Sequence, residues 1–577
     1  MSQKKLKRLK KQQKIVEKEI FKEEVTLGVR EIIKKNWKFL VLLLVGTFFL
    51  YLNSLRGDFV SDDYATIPNN PEIKSFSNGL SGWMGGVMNW FLAITLGVES
   101  PIHFHVFSLL IFLSILIVLF VFVNLILGNN LLAKVAVIIF AVLPIHVEGI
   151  AWIAGRPYLL NTFFVTFSLL FFVLYSRTEK KKYLYRFILL GVLAFLGERT
   201  RSLALPLLLI LYWISFDHKL KEKLNLGKAL LVFSGLFLVA VIFLWPQMLN
   251  RIDSVNSGVN ISDSIFYNPF FQYPTAIAKY LQLLWAPVDL TLYHTMYIIP
   301  VWLNWSIFLL YLTLVVYFFF KDKKIFFALA FIFVAASPSM APVKISWLVA
   351  ERYMFLGSVG FVMFLSILWQ KINNKNKVLS LIVLGLLVSF YGVRTFLRNI
   401  DWQTNHKLWV ITCQVSPNSH NAWNNIGDDY DKLAQLETTD KGKFNQYLNA
   451  VKGFTQSTIV KPNYADAFHN RANIFFKMGR LDLARDSYQT ALNFNPALYQ
   501  TYLSLIQIGL NEKRYDLVLN DLESLKKIQP NSVQVWYIEA VVDVQIGKIE
   551  EAKNILKAIL AQYPDYSDAK NLLNQLK

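Results

Sequence analysis

Four short clusters in this 577-residue chain bring carboxylates, arginines and a histidine together next to long apolar runs. The first, Asn53-Ser54-Leu55-Arg56-Gly57-Asp58-Phe59-Val60-Ser61-Asp62-Asp63-Tyr64, ends on two adjacent aspartates. The second reads Leu143-Pro144-Ile145-His146-Val147-Glu148, with Arg156 and Pro157 following. The third is Gly197-Glu198-Arg199-Thr200-Arg201 and the fourth Ala350-Glu351-Arg352-Tyr353. Ionisable groups bordering a membrane are costly and generally have a task. An acid there can orient an incoming hydroxyl and take its proton, although an aspartate near its free pKa of about 3.9 is a weak base unless burial or a neighbouring carboxylate raises it. Asp62 and Asp63 offer a base together with such a neighbour. Arginines can hold a phosphate leaving group by paired hydrogen bonds and offset the charge developing on it. The competing readings are structural: paired acids in a loop cap the next helix, and Glu351-Arg352 forms a buried ion pair.

The elements that must position these clusters are membrane helices. A chain that is 54% hydrophobic and only 17% charged is too apolar for a soluble multidomain protein. Apolar runs of about 17 to 25 residues, the length that crosses a hydrocarbon core, begin near residues 38, 102, 131, 158, 183, 200, 227, 302, 324, 350 and 378. The net charge of +20 is carried by an N-terminal lysine-rich tail and by alternate connections. These contain Lys134; Arg177 with Lys180 to Lys182; Lys219, Lys221, Lys223 and Lys228; Lys321 with Lys323 and Lys324; and Lys371 with Lys375 and Lys377. That distribution is a topology signal rather than a nucleic-acid footprint. It places the tail and these loops in the cytoplasm, the four chemical clusters on the outer face, and the C-terminal part outside. Residues 80–97 and 272–287 are apolar but short and punctuated, and are expected to be interfacial or re-entrant. A single cysteine, Cys413, excludes intramolecular disulfides and Cys-based metal sites.

Beyond residue 400 the pattern changes. Pro462, Pro496, Pro530 and Pro564 recur every 34 residues, the tetratricopeptide period. Within the best unit Phe468, Ala472, Phe475, Gly479, Ala484, Tyr488 and Ala491 supply large, small, aromatic and turn positions, and an earlier unit from Pro417 carries an insertion around 434–444. Stacked helix pairs of this kind form a concave surface suited to peptide segments, and residues 565–577 read as a capping helix.

The Asp-Asp pair, Pro144-Ile145-His146-Val147-Glu148 with Gly155-Arg156, the Glu351-Arg352-Tyr353 element and the C-terminal repeats together resemble the transmembrane and tetratricopeptide-repeat-containing protein O-mannosyltransferases. The resemblance implies an all-α fold of the GT-C glycosyltransferase type with about 11 membrane helices, followed by an α-solenoid of repeats. The expected domains are a basic cytoplasmic tail (1–37), a transmembrane glycosyltransferase domain (38–400) and an extracytoplasmic repeat domain (401–577). It further implies transfer of a hexose, mannose first, from a polyprenyl- or dolichyl-phosphate donor to Ser or Thr hydroxyls of a protein acceptor held by the repeats, in the bilayer and without nucleic acid. The catalytic expectation is Asp62 as base with Asp63 as tuner or alternate. Arg156, Arg199 and Arg352 are expected at the donor phosphate, and His146, Glu148, Glu198 and Glu351 at the sugar or acceptor. Gly197-Glu198 stands where the family has Lys-Glu. No cofactor is required; a divalent metal is left open, since no metal-ligand spacing is present. The alternatives are a ligase or polymerase using a polyprenyl-diphosphate-linked glycan, and a non-catalytic membrane scaffold with peptide-binding repeats. Abundant Lys, Ile and Asn favour a prokaryotic inner membrane, with the endoplasmic reticulum membrane as the eukaryotic equivalent.

Overall fold

A computed structural model describes residues 29–81, 83–216, 268–295, 300–340 and 347–576. Most of the basic tail, the Lys219–Lys228 set and the apolar run near 227 lie outside the described residues. The chain divides into two compact units, Met1–Ser416 and Pro417–Lys577, so the helix Asn405–Val415 goes with the first. Every regular element among the described residues is helical.

Among the described residues of the first unit six helices are long and apolar enough to cross a membrane: Val29–Arg56, Ile102–Leu127, Ile153–Thr178, Val301–Lys321, Lys323–Met340 and Lys377–Asp401. A seventh is gained if Asn130–Val142 and Pro144–Ala151, bent by 57°, count as one span. The difference from eleven apolar runs has local causes. Lys181–Gly197 starts on Lys-Lys-Tyr-Leu-Tyr-Arg and so has a short apolar stretch. Ser358–Lys375 ends in Gln-Lys-Ile-Asn-Asn-Lys, and Ala204–Phe216 runs to the last described residue before 268. Outward-facing side chains such as Leu42 (72% exposed), Leu386 (68%) and Phe320 (77%) form an apolar surface that water would penalise and acyl chains would cover.

The helix ends sort by charge. At one end Lys324 Nζ donates to the Leu127 carbonyl (2.5 Å) and Arg177 Nη2 to the Leu125 carbonyl (2.6 Å), meeting the last-turn carbonyls of a helix with cations. Asn130 donates to Asn36 there (3.0 Å). At the opposite ends of the same helices lie the acidic loop, Glu148, Arg156 and Glu351. The segment 80–97 folds as Phe76–Ser81 followed by Trp83–Leu96. A 14-residue helix reaches about 21 Å, less than the roughly 30 Å hydrocarbon core. The other short segment is the helix Pro269–Trp285, whose buried Lys279 donates to Gln282 (3.0 Å) and reaches Asp289 (3.5 Å).

The second unit is four helix pairs and a terminal helix: His420–Leu436 with Asp440–Val460, Ala465–Lys477 with Leu481–Phe494, Tyr499–Asn511 with Tyr515–Ile528, Val533–Gln545 with Ile549–Gln562, then Ser567–Gln575. The insertion of the first pair is taken up in the turn and a 21-residue second helix. The intra-pair turns need a left-handed residue at a 34-residue interval: Gly479 (φ 72°), Lys513 (φ 58°) and Gly547 (φ 85°). Gly509 lies within a helix, where its missing side chain lets Val518 pack against the backbone. Gly427 is equally constrained, because a Cβ there would lie 2.7 Å from the Phe454 ring. Gly427→Ala is expected to destabilise the repeat unit by about 1–3 kcal/mol through overpacking, read as a lowered melting temperature by circular dichroism.

Candidate functional site

The loop after the first span is braced by tertiary bonds. The Asp58 amide donates to the Gln403 carbonyl (2.8 Å) and the Ser61 amide to Asn405 Oδ1 (2.8 Å). Ser61 adopts φ 52°, a conformation that non-glycine residues rarely hold and that collects at functional sites. The next residue, Asp62, is exposed and starts the short helix Asp63–Thr66, with no capping bond from its side chain.

Asp63 has a different situation. It is fully buried, and its two carboxylate oxygens accept from the Val60 amide (3.2 Å) and the Ala154 amide (2.7 Å). Burial pushes its carboxyl up to about 7, against the backbone amides of Val60, Ala154 and Ile153 and the Arg156 charge, which pull it down. Asp63 thus ties the acidic loop to the turn Ile153–Gly155 that opens the helix Arg156–Thr178.

Arg156 begins that helix, buried. Its Nε donates to Ser108 Oγ (3.1 Å), Nη1 to Asn89 Oδ1 (2.6 Å) and Nη2 to the Phe104 carbonyl (3.0 Å). All three acceptors are neutral. Arg156 lines a cavity of about 300 Å³ with Thr66, Asn70, Asn78, Asn89 and Ala154, over the glycines of the 76–96 hairpin. Thr66 lies one helical turn after Asp62 and donates to its carbonyl (3.0 Å).

A second group of charges surrounds Tyr158 and Tyr353, whose rings are 5.7 Å apart. Arg201 sits over both, at 4.5 and 4.2 Å, and Arg352 over both, at 5.6 and 4.9 Å. Glu198 caps the turn Arg199–Ser202 through the Thr200 amide (3.2 Å) and pairs with Arg201 (3.2 Å). Glu148 accepts both the backbone amide of Arg352 (2.7 Å) and its guanidinium. The Nε groups of Arg201 and Arg352 have no acceptor among the described residues.

Glu351 and Arg352 therefore do not pair with each other. Glu351 instead accepts from Arg398 Nη2 (2.8 Å) and Nε (3.3 Å), with Asp401 on the far side of the same arginine (3.3 Å) and His294 at 3.9 Å. His146 stands apart from both cavity and arginine pair. It bonds Ser358 Oγ (2.8 Å) and is enclosed by Phe112, Phe140 and Phe355. Arg199 is half-buried beside Glu198. Sequence reasoning missed Arg398, whose signal was a charge pattern Arg394, Arg398, Asp401 ending an apolar helix. It also passed over Arg201 in favour of Arg199, and the cavity asparagines. Among the described residues no three His, Cys, Asp or Glu side chains are grouped to hold a metal ion.

Bundle, outer apolar surface and repeat unit define a polytopic helical protein that carries tetratricopeptide repeats. Repeat-family profiles match residues 465–498 and 510–576, both described as tetratricopeptide repeat. Along nearly the whole chain the similarity is to proteins named protein O-mannosyl-transferase of the TMTC family. The human TMTC3 protein is 24% identical over 92% of this chain and 61% of its own length. The Caenorhabditis elegans protein F38B6.6 is 25% identical over 72% and 62%, and human TMTC2 23% identical over 67% and 60%. The chain thus spans about 61% of the length of the TMTC3 relative. A solved structure titled as that of YrrB, a tetratricopeptide protein with an unusual peptide-binding site, matches at a TM-score of 0.25 and 17% identity, over 35% of this chain and 96% of that one.

The two aspartates should separate in a stability measurement. Asp63→Asn places an amide NH₂ against a backbone N–H and is expected to cost about 1–3 kcal/mol, seen as a lowered thermal midpoint of the purified protein. Asp62→Asn, at an exposed site, should leave that midpoint unchanged within about 0.5 kcal/mol.

Proposed function

We propose that this chain is a membrane glycosyltransferase that moves a hexose, mannose first, from a polyprenyl-phosphate donor to Ser or Thr hydroxyls of an extracytoplasmic polypeptide. The observation that carries the reading is the unencumbered Asp62 carboxylate, one helical turn from a polar cavity whose wall is Arg156. The names of the relatives give the reaction class, and the sorting of lysines to the opposite helix ends supports an outward-facing site.

In the reaction the acceptor hydroxyl oxygen attacks the anomeric carbon, its proton passing to Asp62, while the bond from that carbon to the phosphate oxygen breaks with inversion. The pair leaves with the polyprenyl phosphate. Asp63 holds the loop in register with Arg156 and so positions Asp62 rather than sharing its proton. Arg156 and the asparagines Asn70, Asn78 and Asn89 suit a sugar, since amides both donate and accept. Arg201 and Arg352 carry Nε–H groups with no acceptor among the described residues, which suits them to the phosphate. Glu148, Glu198 and Glu351 act through the arginines they hold. The repeats grip the acceptor.

Purified protein should transfer labelled mannose from polyprenyl-phosphate mannose to a Ser/Thr-rich peptide. Asp62→Asn should lose at least about 100-fold of that rate while retaining its thermal midpoint. Full activity of this variant would overturn the assignment of the base. Transfer from a diphosphate-linked glycan alone would make the chain a ligase. Function that survives neutralising the acidic loop but not disruption of the repeat surface would make it a scaffold.

A further inference from the structure

The repeat unit contains its own cavity of about 300 Å³, bordered by the first three helix pairs. Its floor is apolar, formed by Phe454, Ile474 and Phe476, and its walls carry the amides of Asn470, Asn473 and Gln507. Two carboxylates reach it. Asp431 is held by Lys477, which donates to both its oxygens (2.8 and 2.6 Å). Asp428, one helical turn earlier in register with the floor, has no hydrogen bond or ion pair among the described residues, although it is half-buried. The charged groups that act on it are Lys432, Lys477, Asp431 and Asp429. Lys477 is bonded to both oxygens of Asp431, so Asp428 feels Lys432 and Lys477 only through space and has no bonded cation among the described residues.

We propose that this cavity is a specificity pocket that seats a Lys or Arg side chain of an extended polypeptide, its cation on Asp428 and its main chain on the asparagine and glutamine amides. The inference deepens the acceptor-binding reading above and rests on it. A long aliphatic stem with a charged tip matches an apolar floor with one acid at its end. Gln507, with the second amide N–H and the lone pairs left on Asn470 and Asn473 after their bonds to Asn424, Tyr488 and His469, supplies the donors and acceptors that a peptide unit requires. A partly buried carboxylate lacking a partner is costly, and a cation recovers that cost on binding. An acidic side chain at the same place would meet Asp428 and Asp431 together and be rejected.

Proton linkage adds a directional signature. Burial pushes the free Asp428 carboxyl up to about 7, whereas a bound cation requires it ionised. The pocket must therefore release a proton on binding near neutrality, and affinity should rise by up to about tenfold from pH 6 to pH 8.

The test uses the full chain in nanodiscs of neutral phospholipid, which excludes attraction of a cationic peptide to the bilayer. Binding of a fluorescein-labelled Ser/Thr peptide with a central Lys is compared by anisotropy with the same peptide bearing norleucine or Glu. The Lys peptide should bind about tenfold more tightly than the norleucine peptide, and the Glu peptide most weakly. Asp428→Asn, nearly isosteric, should erase both the preference and its pH dependence. Gln507→Lys, at an exposed position, should erase the preference by supplying a competing cation. Equal binding of the three peptides by wild type, or an unchanged preference in Asp428→Asn, overturns the pocket. Mannose transfer is measured on the same samples, so that preference without transfer would sink the enzymatic reading alone, and transfer without preference the pocket alone.

Discussion

Buried charge is the constraint on which the first unit depends. Glu148 and Arg352, and Glu351 and Arg398, are four charges taken out of water, and each would be prohibitive alone. Because adjacent residues 351 and 352 take partners from different elements, one short turn is fixed to the 147–151 helix and to the end of the 377–401 helix at once. Removing either partner would leave a buried charge uncompensated, a loss of about 3–5 kcal/mol. The same pairing keeps Arg352 over Trp152, Tyr158 and Tyr353, in the neighbourhood where Arg201 also stacks. The ion pairs thus set the orientation of this group of aromatic rings and guanidinium groups.

The acidic loop is organised by a similar division of labour between neighbours. Asp63 spends both oxygens on backbone amides, one of them across the fold at Ala154, while Asp62 beside it is exposed and its side chain makes no capping bond. Strain at Ser61 is held by Asn405 rather than by the loop itself. An exposed carboxylate and a buried, bonded one therefore sit side by side. The cavity beside them depends on close approach of the two short helices of residues 76–96, where glycines let backbones meet: a Cβ on Gly79 would lie 3.0 Å from that of Trp90.

The repeat unit follows another logic, that of helix pairs each covering the face its predecessor leaves open. Its cores run from pair to pair, with Tyr488, Ile508, Val518 and Leu525 fully or almost fully buried in one continuous cluster. Regularity at that level leaves the concave side chains free to vary. A carboxylate such as Asp428 can stand there with no bonded partner among the described residues because the packing between helix pairs does not use it.

Much was legible in the chain itself. Apolar length, alternating lysines and the 34-residue period determine a helical bundle of membrane-spanning dimensions joined to tetratricopeptide repeats, because each is a local or periodic property of sequence. The four polar clusters were legible too, since charge beside apolar runs is conspicuous. What each member does was not. Asp62 and Asp63 are chemically identical in sequence, and it takes the Ala154 amide, 91 residues away, together with the local Val60 amide, to hold one buried and bonded while the other is exposed. Glu351-Arg352 reads as a pair until Glu148 and Arg398 claim them separately, and the three phenylalanines around His146 come from separate stretches of the chain. Contacts across such distances depend on packing of whole helices, which no local spacing encodes; residue types set the available chemistry, and tertiary structure decided which groups were left free to use it.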